Sequence, residues 1–314
     1  MRAALAAAVL LLALPASLAG AAAAPPPKLT GLTAWASARA RLAFVATSAG
    51  GRRGYLWTQP YGSGAPRLLR TTPPVGMEEI DALAPGPNGT WACLERTTGN
   101  TESSYVVDVV SSRGGGAAVT RASTPILLAG DGTFLGYLAV TPSAVQLYRI
   151  KGARSTRVAT LAGVAAPQEV AAASGHLAIR QANGTVVVLT DGGAVLARIP
   201  AKAASVALTA NRVVVRTRDR RLAVYGLRGG LVHSWRLGAA AWTAGLAAYG
   251  RYAVYLGANK AVRAVRLSNG ADRIAARAGG GFFFGGLALQ AKGALVPQTT
   301  GRSTVFRLVA IPDR

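Results

Sequence analysis

The chain of 314 residues carries 35 lysines and arginines against 12 aspartates and glutamates, which gives a formal net charge of +23 at pH 7. Its single cysteine, Cys93, lies in an apolar strand pattern and is predicted to be a buried, inert thiol, so intrachain disulfide bonds are excluded and the fold must rely on packing. The charge is interpreted either as attraction to polyanions or as a codon bias that enriches arginine together with alanine, glycine and valine.

Residues 1–24 have the pattern of a signal peptide. One arginine precedes Ala3–Leu14, an apolar run of about a dozen residues, which is shorter than the about 20 residues of a membrane-spanning helix. Small residues follow, and Ser17-Leu18-Ala19 and Ala21–Ala24 are possible cleavage sites. A retained amphipathic or buried helix is the alternative. We predict a cleaved leader, a secreted or extracytoplasmic protein of the cell envelope, and no transmembrane segment in the mature chain.

Residues 25–30 begin with three prolines and are predicted to be a linker that also takes part in closing the fold. From residue 31 to 314, short apolar runs separated by turn residues recur in units of about 41 residues. The clearest unit, the fifth, has four such runs between Lys202 and Ala239, separated by Ala210-Asn211, Asp219 and Gly229-Gly230. A repeat of this length with four strands is typical of a propeller blade.

We therefore predict an all-β fold, a single β-propeller of four-stranded blades over residues 31–314, with seven blades and six as the alternative count. Inner strands are covered on both faces by neighbouring blades and should be continuously apolar, as Val186–Leu189 is, whereas the outermost strand Leu231–Leu237 alternates. The last unit has only three runs, and an open sheet edge promotes aggregation. Residues around Lys28–Thr30 and the segment before them are predicted to supply its fourth strand.

The second unit carries a recognisable repeat motif. It contains Ala82–Trp91 (ALAPGPNGTW) and then Tyr105–Val109 (YVVDV). This resembles the TolB-type WD40-like propeller repeat, which reads roughly SPDG, an apolar strand and IYVVD. The fourth and fifth units resemble PQQ-type, quinoprotein-like repeats, with Gly230 before a strand that contains Trp235. The resemblance implies an extracytoplasmic propeller that scaffolds or binds, often without catalysis.

The sequence contains little that is typical of catalysis. His176 and His233 lie in different units, no Cys/His spacing suits zinc, and neither a G-x-S-x-G motif nor a P-loop occurs. Glu78, Glu79 and Asp81 form the densest acidic group, a candidate cation or acid/base site, with local charge balance as the alternative. We expect no catalytic residue, no cofactor and no metal site.

The turns of a propeller divide between the two faces of the disc. Turns from second to third strand and links between blades lie on what we call the first face, and the other turns lie on the second face. Propellers usually bind where loops converge at one mouth of the central channel. We predict that the first face binds a protein partner or an anionic envelope polymer, with nucleic acid not expected and the protein a monomer. The candidates are Arg52, Arg53, Arg218, Arg220, Arg221, Lys260, Arg302, Trp242 and Phe283.

Two alternatives remain open at this point. The protein is either this binding or scaffold module or an exported lyase, lactonase or hydrolase with carboxylate chemistry at the channel mouth. The run Phe282–Phe284 either contributes to the binding face or packs between the seventh and first blades.

Overall fold

The structure, a computed structural model, describes residues 31–38, 41–47, 53–60, 66–74, 78–98, 103–258, 260–279, 282–283, 286–300 and 303–311. The predicted leader and the segment 25–30 lie outside the described residues. Within the described ranges every regular element is a β-strand, except for one 3-10 turn at Pro87–Gly89.

The strands form seven antiparallel sheets, and in the first six each strand pairs with the next one along the chain. The first three sheets contain β1 (Gly31–Ala38), β2 (Arg41–Thr47), β3 (Arg53–Pro60) and β4 (Arg67–Pro74); β5 (Glu78–Pro85), β6 (Trp91–Thr98), β7 (Ser103–Val110) and β8 (Gly116–Ala122); and β9 (Ile126–Gly130), β10 (Leu135–Val140), β11 (Val145–Lys151) and β12 (Arg154–Leu161).

The next three sheets contain β13 (Pro167–Ala173), β14 (His176–Gln181), β15 (Val186–Thr190) and β16 (Val195–Ile199); β17 (Ala203–Leu208), β18 (Arg212–Thr217), β19 (Arg221–Gly226) and β20 (Leu231–Arg236); and β21 (Ala241–Tyr249), β22 (Tyr252–Gly257), β23 (Ala261–Arg266) and β24 (Asp272–Arg277).

The seventh sheet has an interrupted first strand. β25 (Phe282–Phe283) and β26 (Ala288–Gln290) both pair with β27 (Gly293–Thr300), while β28 (Ser303–Val309) pairs along nearly the whole of β27. Because β28 occupies one edge of β27, β25 and β26 share the other edge and together take the place of one inner strand.

The inner strands close into a ring. β1, β5, β9, β13, β17, β21 and β26 each contact the next inner strand, and β26 contacts β1. The predicted seven-bladed all-β propeller is therefore confirmed, and the six-bladed alternative is wrong.

Packing between blades forms the core, and β15 shows how. Val187 and Leu189 pack against the third blade, whereas Val186 and Val188 pack against the fifth, and all four side chains are fully buried. Because successive side chains of a strand point to opposite sheet faces, a strand between two blades has no solvent face and is continuously apolar. Each such side chain contributes about 1.5–3 kcal/mol by its burial.

The outer strands share a second feature, a bulge. Near the middle of the pairing in each of the first six blades, one residue of the fourth strand is extra relative to the third strand, which shifts the register, and β4 has a second shift between Thr71 and Pro74. The bulge changes the expected alternation in β20, where Leu231 and Val232 are both exposed (60% and 39%). The extra residues are all apolar: Leu69, Val119, Val158, Leu196, Val232 and Ala275.

Candidate functional site

A central channel of about 700 Å³ runs between the inner strands of all seven blades. Each inner strand lies at the end of its sheet, and its side chains point towards the neighbouring blades. The edge that faces the channel therefore presents backbone N–H and C=O groups, so the channel wall is polar even where the sequence is apolar.

Two carboxylates lie on the channel wall, and each is paired with an arginine of its own blade. The Nε of Arg96 is 2.8 Å from Oδ2 of Asp81. The Nε of Arg180 donates to Oε2 of Glu169 at 2.9 Å. Ser205, from the fifth blade, donates its hydroxyl to Oε1 of Glu169 at 2.9 Å. Both carboxylates are therefore held by structural partners.

A second arginine lies near Glu169. Arg216 pairs in register with Ser205, and burial lowers the pKa of its guanidinium; the charge of Glu169 opposes this shift and that of Arg180 adds to it. Arg180 is therefore bonded to Glu169, and Arg216 is influenced by the charge of the same carboxylate, between the fourth and fifth blades. Sequence reasoning missed this cluster, although an arginine inside the apolar runs of β14 and β18 was a visible signal.

On the first face, the turns between the second and third strands are held by links between blades. In the fifth blade the N–H of Arg218 donates to the carbonyl of Lys202 at 3.2 Å, and the N–H of Leu237 donates to the carbonyl of Arg220 at 2.9 Å. The sixth blade repeats this arrangement, with Ala278 donating to the carbonyl of Lys260 at 3.2 Å. These turns are therefore rigid platforms for their side chains.

Three exposed cations on this face have left-handed backbone. Arg220 (φ 63°) and Lys260 (φ 57°) occupy the turn position that Gly184 (φ 85°) occupies in the fourth blade, and Lys202 (φ 50°) lies in the link before the fifth blade. A left-handed residue with a Cβ costs about 1–2 kcal/mol relative to the right-handed conformation, and only glycine avoids this cost. We call Lys202, Arg220 and Lys260 the basic arc.

The neighbours of the arc have structural partners. Arg218 donates through Nη2 to the carbonyl of Ala182 in the preceding blade at 3.0 Å, and Arg221 donates through Nε to the hydroxyl of Ser234 at 2.9 Å. The pKa of Asp219 is lowered, chiefly by the hydrogen bond with Thr217 and further by Arg221 and Lys202. Of the predicted group Arg218, Arg220 and Arg221, Arg220 is the one whose side chain is not bonded across the fold in this way.

The other candidates divide into two groups. Phe283 is only 1% exposed and packs with side chains such as Val254 and Val296 between the sixth and seventh blades, so it belongs to the core and cannot contact a ligand on the first face. Arg52 and Arg302 lie outside the described residues. For four further candidates the structure describes the backbone but not the side chain: Arg53 in β3, Glu78 and Glu79 in β5, and Trp242 in β21.

The second face contains a cavity in addition to its tight turns. A cavity of about 430 Å³ lies between the first turns of the sixth and seventh blades, Tyr249–Tyr252 and Gln290–Gly293. Arg251 and Lys292 line it, and Tyr249 is 46% exposed. The sequence pattern did not indicate this cavity, because it depends on how two adjacent blades meet.

In the described ranges no set of three or more His, Cys, Asp and Glu side chains is arranged to hold a metal ion. No helix in those ranges has the length and apolar character needed to cross a membrane. Cys93 is fully buried as predicted, and burial raises the pKa of its thiol.

Comparison with solved structures agrees with the ring geometry. Sqt1 of Saccharomyces cerevisiae has a TM-score of 0.55 at 10% identity, covering 91% of this chain and 97% of its own. BamB of Moraxella catarrhalis has a TM-score of 0.56 at 11% identity, covering 88% and 83%. The computationally designed Ika8 protein has a TM-score of 0.55 at 14% identity, covering 91% and 98%.

The chain is a β-propeller. Sqt1 and BamB share this fold, and at these identities the similarity concerns the fold alone. No protein-family model matches the sequence, and no curated protein matches it. The TolB-type resemblance of the second unit therefore stays a prediction.

Proposed function

We propose that the protein is an exported, non-catalytic propeller of the TolB-like type that acts as a binding or scaffold module, and that its first face binds an anionic envelope polymer or an acidic protein surface through the basic arc. The leader pattern of residues 1–24 supports export. The net charge of +23 favours an anionic partner by long-range attraction.

The observation that carries the proposal is the backbone conformation of the basic arc. Lys202, Arg220 and Lys260 are exposed and all have positive φ; in the fourth blade Gly184 takes the turn position of Arg220 and Lys260, and Ala166 (φ 42°) takes the link position of Lys202. Strained conformations at exposed residues are a reason to look for function. Arg220 and Lys260 lie on turns that are hydrogen-bonded to neighbouring links, and Lys202 lies on a link to which one of these turns bonds, so the three cations form an array of positive charge on one face.

The channel supports binding rather than catalysis. A general acid or base needs a titratable group that is available to substrate. On the described channel wall, Asp81 is paired with Arg96, and Glu169 is held by Arg180 and Ser205. No observation in the described residues favours the lyase, lactonase or hydrolase alternative.

The test replaces the three arc residues together by glycine, which is favourable at positive φ and removes three charges without disturbing the turns. A matched control removes three exposed cations from the second face by Lys151→Gln, Arg228→Gln and Arg251→Gln. Binding to poly-glutamate and to polyphosphate, and capture from envelope fractions, are measured at two salt concentrations.

The arc variant is expected to bind about tenfold to a hundredfold more weakly, since each lost contact contributes about 0.5–1 kcal/mol, and its binding should depend less on salt. The control should bind within about twofold of wild type. Equal loss in both variants would mean that net charge, not the arc, governs binding. Tighter binding to polyphosphate would indicate an anionic polymer as the partner, and tighter binding to poly-glutamate would indicate an acidic protein surface.

A further inference from the structure

The cavity between the first turns of the sixth and seventh blades has the size and the lining of a ligand site. Its volume of about 430 Å³ lies within the about 300–1,000 Å³ that is typical of small-molecule sites. Leu289 and Gln290 line both this cavity and the central channel, so the two spaces adjoin at the second face. The basic arc lies on the first face, and the cavity is therefore a separate site.

Two cations take equivalent positions in the two turns that border the cavity. Each turn has two residues, and the second of them is Arg251 in the sixth blade and Lys292 in the seventh. The first turn of the fourth blade also has two residues, but its second position holds Gly175. Both cations are exposed and line the cavity. The fold of a blade therefore does not require a cation at this position.

Backbone contacts hold both turns in place. The N–H of Leu267 donates to the carbonyl of Arg251 at 2.8 Å, which ties the first turn of the sixth blade to its third turn. Gly293 (φ 129°) follows Lys292, and a Cβ there would overlap the carbonyl oxygen of Val309. The seventh-blade turn thus packs closely against the end of β28. Both cations extend from fixed backbone.

The side chains of these two cations are available to a ligand. No hydrogen bond or ion pair joins the side chain of Arg251 or Lys292 to another described residue. Asp272 is the one acidic residue in the sequence from 240 to 311, and its carboxylate already accepts hydrogen bonds from Arg263 and Tyr255. Two cations that line one cavity without a neighbouring carboxylate attract an anionic group.

The rest of the lining combines an aromatic ring with hydrogen-bonding groups. Tyr249 lines the cavity and is 46% exposed, so its ring can stack on the flat face of a ligand. Tyr252 and Gln290 supply a hydroxyl and an amide, which donate and accept hydrogen bonds. Leu289 and Ile311 add apolar surface. The lining therefore suits a ring that carries both hydroxyl groups and a negative charge.

We propose that this cavity binds an acidic saccharide, with the carboxylate of a uronate ring bound by Arg251 and Lys292 and the ring stacked on Tyr249. An aromatic acid suits the lining less well, because it would leave the polar ends of Tyr252 and Gln290 without partners. Inorganic anions and acidic peptides have no sugar ring to stack. A second sugar ring extends from the cavity towards the channel.

The ligand class is tested with three probes in isothermal titration calorimetry. Tri-galacturonate has both rings and carboxylates, its methyl ester keeps the rings without the charge, and tri-glutamate keeps the charge without the rings. The protein should bind tri-galacturonate about tenfold or more tightly than either of the others. Equal affinity for one of the other two probes, or no binding of tri-galacturonate at millimolar concentration, overturns the proposal.

The place of binding is tested with matched variants. Arg251→Gln with Lys292→Gln should weaken tri-galacturonate binding about tenfold or more. Lys151→Gln with Arg228→Gln removes the same charge from other turns of the second face and should bind within about twofold of wild type. Tyr249→Ala should weaken binding about threefold to tenfold, whereas Tyr249→Phe keeps the ring and should bind within about twofold of wild type. Equal affinities of the two double variants overturn the proposal.

The glycine variant of the basic arc distinguishes this proposal from the proposed function. It should bind tri-galacturonate as tightly as wild type does, and loss of binding there instead of in the cavity variants overturns the cavity site. Polyphosphate and poly-glutamate have no sugar ring for Tyr249, so Arg251→Gln in the control for the arc should leave their binding unchanged. Arg251 and Lys292 are exposed turn residues, so their double variant should fold and decides the question even if Tyr249→Ala does not.

Discussion

The carboxylate of Asp131 joins the third and fourth blades by accepting the backbone N–H of Ser174 at 2.8 Å. Its other oxygen accepts the N–H groups of Thr133 and Phe134 in its own turn at 2.7 and 2.8 Å. Ser174 has left-handed backbone (φ 49°), so the bond holds a turn that is otherwise strained. One side chain thus organises two turns on the second face.

This bond makes stability depend on pH. Burial disfavours the charged form of Asp131, but the hydrogen bonds from Phe134, Thr133 and Ser174 outweigh it and lower the pKa. A lowered folded-state pKa contributes stability above the unfolded-state pKa, and the contribution is lost as the pH falls through the folded value. Asp131→Asn should lower the free energy of unfolding at pH 7 by about 1–3 kcal/mol.

Urea unfolding across pH checks this. The difference between wild type and Asp131→Asn should shrink in acid, as the pH falls through the lowered pKa of Asp131 and its carboxylate becomes protonated. Asp219→Asn is the control, because Asp219 is exposed and its pKa is also lowered, and it should have a smaller effect. A difference that persists unchanged in acid would contradict this account.

The charge cluster between the fourth and fifth blades should be sensitive to loss of its carboxylate. Glu169→Ala removes the carboxylate that pairs with Arg180 and whose charge acts on Arg216 in a half-buried site, and the expected cost is about 2–4 kcal/mol. Asp81→Ala is the comparison, since its pair with Arg96 is more exposed (30% and 42%) and should cost about 0–1 kcal/mol. Equal costs in chemical denaturation would argue against a special role for the cluster.

The contact between the second and third blades leaves no room for a side chain at Gly130. A Cβ there would lie 2.2 Å from the carbonyl oxygen of Pro85, in the neighbouring blade. Gly130→Ala should therefore destabilise the protein by about 3 kcal/mol or prevent folding, because overpacking forces the backbone to shift. Gly230→Ala, where the added Cβ meets open space, should change the unfolding midpoint little.

The arc residues should show their strain when replaced singly. Arg220→Gly and Lys260→Gly should each raise the free energy of unfolding by about 0.5–1 kcal/mol, because glycine accepts positive φ without steric cost. Ala258→Gly is the matched control in the turn of Lys260, where φ is not positive, and it should be neutral or destabilising. Stabilisation by the control as well would point to a cause other than strain. Thermal unfolding measures all three.

Much of the fold could be predicted from the sequence because its signals are local. Continuous apolar runs such as Val213–Val215 indicate a strand buried on both faces, and pairs such as Gly229-Gly230 mark tight turns. Seven repeats of such a unit indicate a ring, since each blade needs neighbours on both faces to cover its apolar side chains.

The site was predictable only in part. Arg220 and Lys260 were identified from turn position and charge, but their left-handed conformation depends on the hydrogen bonds to the links between blades. For Phe283 the sequence left open a place on the binding face or between the seventh and first blades, whereas the split inner strand of the seventh blade turns it into the core against the sixth blade. The cavity beside Tyr249 likewise arises only where two blades meet.

The sequence by itself determined most strands and turns and the repeat of a four-stranded blade, because side-chain alternation and turn chemistry act over a few neighbouring residues. Only the tertiary structure decided between seven and six blades and which side chains meet across blades. Ser205 reaches Glu169 although 36 residues separate them, and Ser174 reaches Asp131 across 43. Such contacts depend on how closely successive blades pack around the ring, and no local sequence pattern predicts the distance between two blades.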